Sequence, residues 1–156
     1  MPIRVIIPKR ALADPKRMAL AIQNGLDAAA KAAKVDFGVT VQTWNHQPDF
    51  TIQEDGDFKR VIGTDDEIYG YVNSGTKPHI IQATAGKVLA FGPSSPKTAP
   101  RVIGSGAGSR GGASTFRKRV QHPGTQARDF DQAIAEKWQD MLPQTMQRAI
   151  DAALGD

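Results

Sequence analysis

The chain has 156 residues, a formal net charge of +4 and no cysteine, and aromatic side chains are a small part of its 40% apolar share. This length fits one domain, 1–156, with a core built mainly from Ala, Val, Ile and Leu. The lack of cysteine excludes disulfides and thiolate metal sites. No apolar run approaches the roughly 18 residues of a membrane span, and the N-terminal apolar stretch is too short for a secretory signal. We therefore expect no membrane contact and a chain that stays in the cytoplasm unless a larger structure carries it out.

The first predicted element is a helix that begins after Asp14. Asp is a favourable N-cap, and Pro15 suits the first helical position. Apolar residues then recur at spacings of three and four, as on one face of a helix. The spacing changes after Lys34, so the helix is predicted to end there and an extended segment is predicted over 39–43.

The middle of the chain is predicted to be extended. The runs 50–52 and 60–64 alternate between apolar and polar residues, and the Asp55-Gly56 turn between them predicts a hairpin. A second hairpin is predicted around the turn at 85–87. The remaining predicted strands, including those of the second hairpin, are 68–72, 79–81, 88–91 and 116–120.

The last third of the chain combines a long loop with a helix. Segment 92–114 is rich in Gly, Ser and Pro and cannot bury enough apolar surface to order itself. A helix is predicted from Asp129 to Leu154, with a kink or brief break near Leu142 because of Pro143, and Gly155 is expected to end it. The predicted fold class is therefore α+β: an N-terminal helix, a curved antiparallel sheet with a long Gly/Pro-rich loop, and a kinked C-terminal helix packed on the sheet.

Patterns that carry chemistry in other proteins lack their context here. Segment 106–111 matches the G-x-G-x-x-G dinucleotide fingerprint but sits in a loop followed by a predicted strand. His46, His79 and His122 have no metal-site spacing, so each is expected to use its ring nitrogens locally. The acidic run 65–67 is expected to be a solvated turn. We predict no catalytic, cofactor-binding or metal site, and hence a protein that is not an enzyme.

The densest basic cluster is the run 117–119, joined by two arginines in the long loop. Arginines on flexible Gly/Ser-rich chain can bind a phosphate backbone without sequence preference. The alternative is a solvated strand face beside a soluble loop. The modest net charge of the whole chain does not decide between the two.

Two turn-rich segments, 69–81 and 120–130, are each expected to make a defined bend. Pro fixes the backbone angle φ, and Gly allows φ values that other residues rarely adopt. With the hairpin between them, the two segments resemble the tail-completion, or neck, proteins of long-tailed bacteriophages, also called head–tail joining proteins. The most specific part is the V-x-H-P-G-T-x-x-x-x-F segment that enters the last helix. The matching residues are Tyr69, Val72, Gly75, Thr76, Ile81, Lys87, Leu89, Phe91, Val120, His122, Pro123, Gly124, Thr125 and Phe130.

The resemblance keeps order and spacing from about residue 67 to the C-terminus, and the N-terminal helix also lies where the family has one. The chain departs from the family at Arg128-Asp129, where those proteins often have Pro, and in its long Gly/Ser loop. The resemblance implies a non-catalytic virion subunit that is assembled in the host cytoplasm. It would form a ring, commonly a hexamer, between the tail and the head connector around the DNA channel.

The implied partners are other copies of the chain, the tail terminator or tail tube protein, the head–tail connector and, non-specifically, channel DNA; no cofactor is implied. The subunit or partner interface is predicted at Asn73, Gly75, Thr76, Lys77, His79, His122, Pro123, Gly124, Thr125 and Arg128. Residues facing the channel or a neighbour are predicted to be Arg101, Arg110, Arg117 and Arg119. Three alternatives stay open: a tail terminator or minor tail protein, a nucleic-acid-binding module, and an enzyme whose site the sequence does not reveal.

Overall fold

The computed structural model describes residues 14–155. Its first helix, α1, spans Pro15–Val41 and begins as predicted. The side chain of the N-cap, Asp14, accepts a hydrogen bond from the Lys16 amide at 3.0 Å. The cap satisfies one of the amides that the first helical turn leaves without a partner.

Helix α1 runs well beyond its predicted end near Lys34, and the predicted extended segment over 39–43 is wrong. The three- and four-residue spacing continues through Phe37 and Val41. Val41 is 2% exposed in the core, and Phe37 packs against the same cluster. The β-branched residues indicated a strand locally, but burial of one helical face outweighs that preference.

The first predicted hairpin is confirmed. Strand β1 (Thr51–Glu54) pairs antiparallel with β2 (Arg60–Gly63). Gly56 in the connecting turn has a φ of +80°, which glycine adopts without a steric penalty. The hairpin packs on α1, where the guanidinium of Arg60 donates to Asp27 Oδ1 at 2.5 Å.

A short helix, α2 (Glu67–Ser74), occupies the place of the strand predicted over 68–72, which is therefore wrong. Asp66 is the N-cap, and its carboxylate accepts a hydrogen bond from the Tyr69 amide at 2.7 Å. Tyr69 and Val72, three residues apart, face the core. The acidic run before the helix is thus a cap and not only a solvated turn.

Four short strands follow, paired across a long separation in sequence. The first of them pairs antiparallel with the last, and the second with the third. We call residues 79–91 together with 115–122 the β-ribbon. Its strands are β3 (His79–Gln82), β4 (Leu89–Phe91), β5 (Thr115–Arg117) and β6 (Arg119–His122).

The second predicted hairpin is wrong in its pairing. Its tight turn forms, with the Lys87 amide donating to the Thr84 carbonyl at 2.9 Å. However, β3 and β4 both pair antiparallel with the returning arm of the ribbon, residues 115–122. They therefore run in the same direction and do not pair with each other. The chain bulges at 83–88 and then continues along the ribbon.

The returning arm is interrupted at Lys118, so the predicted strand over 116–120 is split between β5 and β6. The antiparallel strands form three two-stranded sheets in place of one curved sheet. The ribbon exposes side chains on both faces. It therefore offers no buried face that would draw it onto the first hairpin.

The loop over 92–114 is confirmed, and it folds back on the body. Its outer part is closed by a bridge between Ser94 and Arg110. Its middle is held by polar contacts, including a 2.9 Å hydrogen bond between the hydroxyls of Thr43 and Ser105. Hydrogen bonds to the body thus order a segment that has little apolar surface of its own.

The last helix, α3 (Phe130–Leu154), continues through Pro143 without the predicted break and ends at Gly155 as expected. It packs lengthwise against α1. Close approach is possible where α1 has Gly25, since a Cβ there would lie 2.9 Å from Met146 Sδ. Pro143 has no amide hydrogen to donate, so one backbone hydrogen bond of α3 is missing there. Packing against α1 stabilises the helix in spite of that loss.

The core is a small aromatic cluster where both long helices meet α2. Phe130 is fully buried, and Tyr69 lies with ring centroids 5.1 Å from Phe50 and 6.1 Å from Phe130. Burial raises the pKa of the Tyr69 phenol well above its ordinary value. The α+β fold class is confirmed. None of the helices between residues 14 and 155 is both long and apolar enough to cross a bilayer.

Candidate assembly site

The two segments predicted as an interface meet each other in the fold. The Thr76 amide donates to the Thr125 carbonyl at 2.9 Å, and the Thr125 amide donates back to the Thr76 carbonyl at 3.2 Å. We call residues 72–77 together with 122–130 the junction. It joins the end of α2, the base of the β-ribbon and the start of α3.

Two glycines allow this close approach. Gly75 has a φ of +73° and Gly124 a φ of +91°, both in the left-handed region. A Cβ on Gly75 would lie 2.6 Å from the Thr125 carbonyl oxygen, and one on Gly124 only 2.1 Å from the Thr76 carbonyl oxygen. Backbone conformation and space therefore both require glycine at these positions.

Asn73 caps α3 from the other segment. Its Oδ1 accepts hydrogen bonds from the amides of Phe130 at 2.8 Å and Asp131 at 3.4 Å. Asp129, which precedes the helix, has a left-handed backbone and makes no side-chain cap of its own. The long helix thus depends on a side chain 57 residues away for two of the amides of its first turn.

Replacing Asn73 with alanine is expected to lower the free energy of unfolding by about 1–2 kcal/mol, because two amides at the helix start lose their acceptor. The measurement is urea unfolding followed by circular dichroism. Ser74→Ala, at the exposed neighbouring position, is the control and is expected to stay within about 0.5 kcal/mol of the parent. Equal stabilities of the two variants would contradict the capping role.

The histidines make structural contacts. The rings of His79 and His122 lie 5.0 Å apart at the base of the ribbon. His79 Nδ1 bonds to the carbonyl of Lys77 at 2.9 Å, and His122 Nδ1 accepts from the Gly124 amide at 3.1 Å, so both use a ring nitrogen locally as predicted.

His46 differs from this expectation, because its Nε2 bonds to the carboxylate of Asp66, 20 residues away. That hydrogen bond, together with the one from the Tyr69 amide, holds the pKa of Asp66 below its ordinary value. Within residues 14–155 no three His, Asp or Glu side chains are grouped so that they could hold a metal ion.

The ten predicted interface residues form one patch, but their exposure differs. Three are exposed and free to meet a partner: Lys77, His79 and Pro123. Arg128 is buried, and the others are half-buried in contacts within the junction. Contacts within the fold therefore explain why most of these residue types are needed at their positions. An interface role for these residues stays a prediction.

The four predicted channel-facing arginines divide into two groups. Arg101 is held on α3 by Glu136, at 2.5 Å, and by Gln132, at 3.2 Å. The other three are exposed on the β-ribbon or the loop beside it: Arg110, Arg117 and Arg119.

A partition of charge was not recognised from the sequence, although the sequence contains it. Residues 68–128 carry nine Lys or Arg and no Asp or Glu, a formal charge of +9. The rest of the chain therefore carries −5, and the net charge of +4 hides the division. In the fold, this acid-free segment comprises α2 after its first residue, the β-ribbon with its loop, and the parts of the junction beside them.

The β-ribbon also exposes apolar side chains. A two-stranded ribbon is marginally stable alone in water, and its outer edges have no strand partner among the described residues. Exposed apolar side chains beside open strand edges are typical of a protein contact. The exposed fractions are 52% for Ile80, 37% for Ile81, 54% for Val88, 37% for Phe91 and 59% for Phe116.

The accessible surface of the chain is large for its mass. It measures 11491 Å², whereas a compact monomer of 16.8 kDa exposes about 7,700 Å². The residues outside 14–155 can account for at most about 2,200 Å² even if wholly exposed. The remaining excess is consistent with arms that extend from a small core.

No protein-family model matches this sequence, and comparisons with curated proteins and with solved structures give no significant match.

Proposed function

We propose that the chain is a structural subunit of a bacteriophage neck or tail. In this proposal it forms a ring at the head–tail junction that completes the tail and joins it to the head connector around the DNA channel. The observation that carries the proposal is the exposed, cationic β-ribbon, together with the motif resemblance at its base. The resemblance supplies the identity of the assembly, and the ribbon supplies a surface suited to it.

The β-ribbon is suited to a head-to-tail contact between copies. In a ring, one surface of each subunit meets a different surface of the next. The ribbon and its loop, 79–122, carry seven Lys or Arg and no Asp or Glu, whereas 14–67 and 129–155 together carry fifteen Asp or Glu and eight Lys or Arg. A ribbon lying on the body of the next copy would cover the apolar side chains of one of its faces and pair opposite charges.

A second candidate is a nucleic-acid-binding module, which one observation favours. Phe116 is 59% exposed and is followed by three consecutive exposed basic residues, 117–119. An aromatic face beside cations is the arrangement that stacks on bases and contacts phosphates. A salt-sensitive shift on a single-stranded oligonucleotide, given by the isolated protein, would support this candidate.

Disruption of the gene with complementation, followed by electron microscopy of the particles, tests the proposal. Without the subunit we expect filled heads and tails that do not join, and joined particles on complementation. Imaging of the complemented particle is expected to show the chain as a ring in the neck. A tail terminator would instead leave tails of irregular length. Joined, infectious particles without the chain, or a particle with no such density in neck or tail, would contradict it.

A further inference from the structure

A cleft of about 380 Å³ lies beside the junction, beyond the end of α1. Its walls are largely apolar and come from three parts of the chain: Trp44 after α1, Ile68 and Val72 on α2, and Pro96 in the long loop. Arg128 lies in the wall at the junction. The cleft therefore combines apolar sides with a cation.

Arg128 is 9% exposed, and its Nε is buried without a hydrogen-bond partner. Within residues 14–155 its side chain makes no hydrogen bond and no ion pair. The backbone is fixed on both sides, because its amide donates to the Asn73 carbonyl at 3.0 Å and its carbonyl accepts from the Arg101 amide at 2.6 Å. A buried cation without a counter-charge is strongly destabilising, so this arrangement indicates a site for an anion.

The other basic side chains of the cleft, Lys97 and His46, are already engaged. Lys97 Nζ donates to the Thr43 carbonyl at 2.5 Å and to Asn45 Oδ1 at 3.0 Å. His46 is bonded to Asp66. One guanidinium with free donors and apolar walls matches a single carboxylate on an apolar segment.

An exposed segment of this chain has that chemistry. The tip of the β1–β2 hairpin presents Asp57, which has no hydrogen bond or ion pair among residues 14–155, next to Phe58, which is 56% exposed. The tip lies beside Asp27 in the first half of α1. The cleft lies after Val41, about 21 Å further along the helix at 1.5 Å per residue. A subunit therefore cannot fill its own cleft with its own hairpin tip.

We propose that the Asp57-Phe58 tip of one copy inserts into the Arg128 cleft of the next copy, with the Asp57 carboxylate on the guanidinium and the Phe58 ring against the apolar walls. Complementary features separated by about 21 Å along α1 make this contact head-to-tail, as a ring requires. The inference rests on the proposed function only in that such contacts between successive copies would close a ring. The contact is tested without particles, so that its failure and that of the neck assignment are distinguishable.

The test is a titration of the full-length protein carrying Trp138→Phe, so that Trp44 in the cleft is its sole indole. The probes are a blocked peptide of residues 54–59, EDGDFK, and the same peptide with Asp57→Asn. We expect saturable quenching or shift of the Trp44 emission, with the asparagine peptide binding at least tenfold more weakly. In Arg128→Met the two peptides are expected to bind equally.

Equal binding of both peptides to the Trp138→Phe protein, or no saturable change with either, would overturn the contact even if Arg128→Met fails to fold. A response to oligothymidylate and not to the acidic peptide would identify a nucleic-acid site instead and would also overturn it. Disulfide trapping gives a second readout, because the chain has no cysteine. Mixing Phe58→Cys protein with Ile68→Cys protein is expected to give a mixed dimer, and its absence under oxidising conditions would count against the contact.

Discussion

The variant Gly75→Ala is expected to lose about 3 kcal/mol of unfolding free energy. An alanine at a φ of +73° carries a backbone penalty of about 1–2 kcal/mol. Its Cβ would also lie 2.6 Å from the Thr125 carbonyl oxygen and 2.7 Å from the Ala127 amide nitrogen. Both neighbours are backbone atoms of the paired segment, so relief requires the two segments to separate, at an overpacking cost of about 1–3 kcal/mol.

Gly86→Ala is the matched control for this effect. Gly86 has nearly the same backbone angle, a φ of +77°, but a Cβ there would meet nothing within 4 Å. Its loss is expected to be the backbone penalty alone, about 1–2 kcal/mol. Urea unfolding followed by circular dichroism measures both variants. If Gly75→Ala and Gly86→Ala lower the free energy of unfolding equally, the close contact between the two segments of the junction is not the reason for glycine at position 75.

Local signals in the sequence were sufficient for the elements whose ends are specified locally. The Asp14 cap with Pro15 specifies the start of α1, and the Asp55-Gly56 turn specifies the first hairpin. At α2 the local signals conflict. The aromatic and β-branched residues of 68–72 favour a strand, whereas the Asp66 cap and the burial of one helical face favour the helix that forms.

The pairing of the β-ribbon could not be predicted from local signals. The turn at Thr84–Lys87 forms, yet β3 pairs with a strand that begins at Arg119. Turn residues specify where the chain bends but not which strand pairs with which. A bulge that contains the same turn residues therefore has the sequence pattern of a hairpin. The pairing depends on the junction, where the Thr76–Thr125 bridge sets the two arms of the ribbon side by side.

The candidate site was partly accessible from the sequence. The resemblance identified both segments of the junction but not that they contact each other, since spacing along a chain carries no distance in space. The absence of acidic residues from 68–128 is a property of the sequence alone. The burial of Arg128 is not, because an arginine is ordinarily solvated and the walls around this one come from segments that are distant in the sequence.

Reversing the charge of the β-ribbon is expected to abolish assembly while leaving the fold intact. The triple variant Arg117→Glu, Lys118→Glu, Arg119→Glu changes three exposed residues, so its unfolding free energy is expected to stay within about 1 kcal/mol of the parent. Like charges facing the acidic body of the next copy would cost several kcal/mol per contact. We expect association of the purified chain, measured by sedimentation, to weaken at least about a hundredfold, and complemented particles to remain unjoined.

The control is a triple variant of the body, Lys16→Glu, Lys31→Glu, Arg148→Glu, which changes net charge equally at exposed positions outside the acid-free segment. If both triple variants fail equally, net charge and not the ribbon governs association. The purified chain is sedimented without DNA. A loss of association that is specific to the ribbon variant in this measurement therefore assigns the contact to protein. A ribbon variant that associates normally but fails only in particles would instead place the cations on a partner that the purified chain lacks, either channel DNA or a neighbouring virion protein.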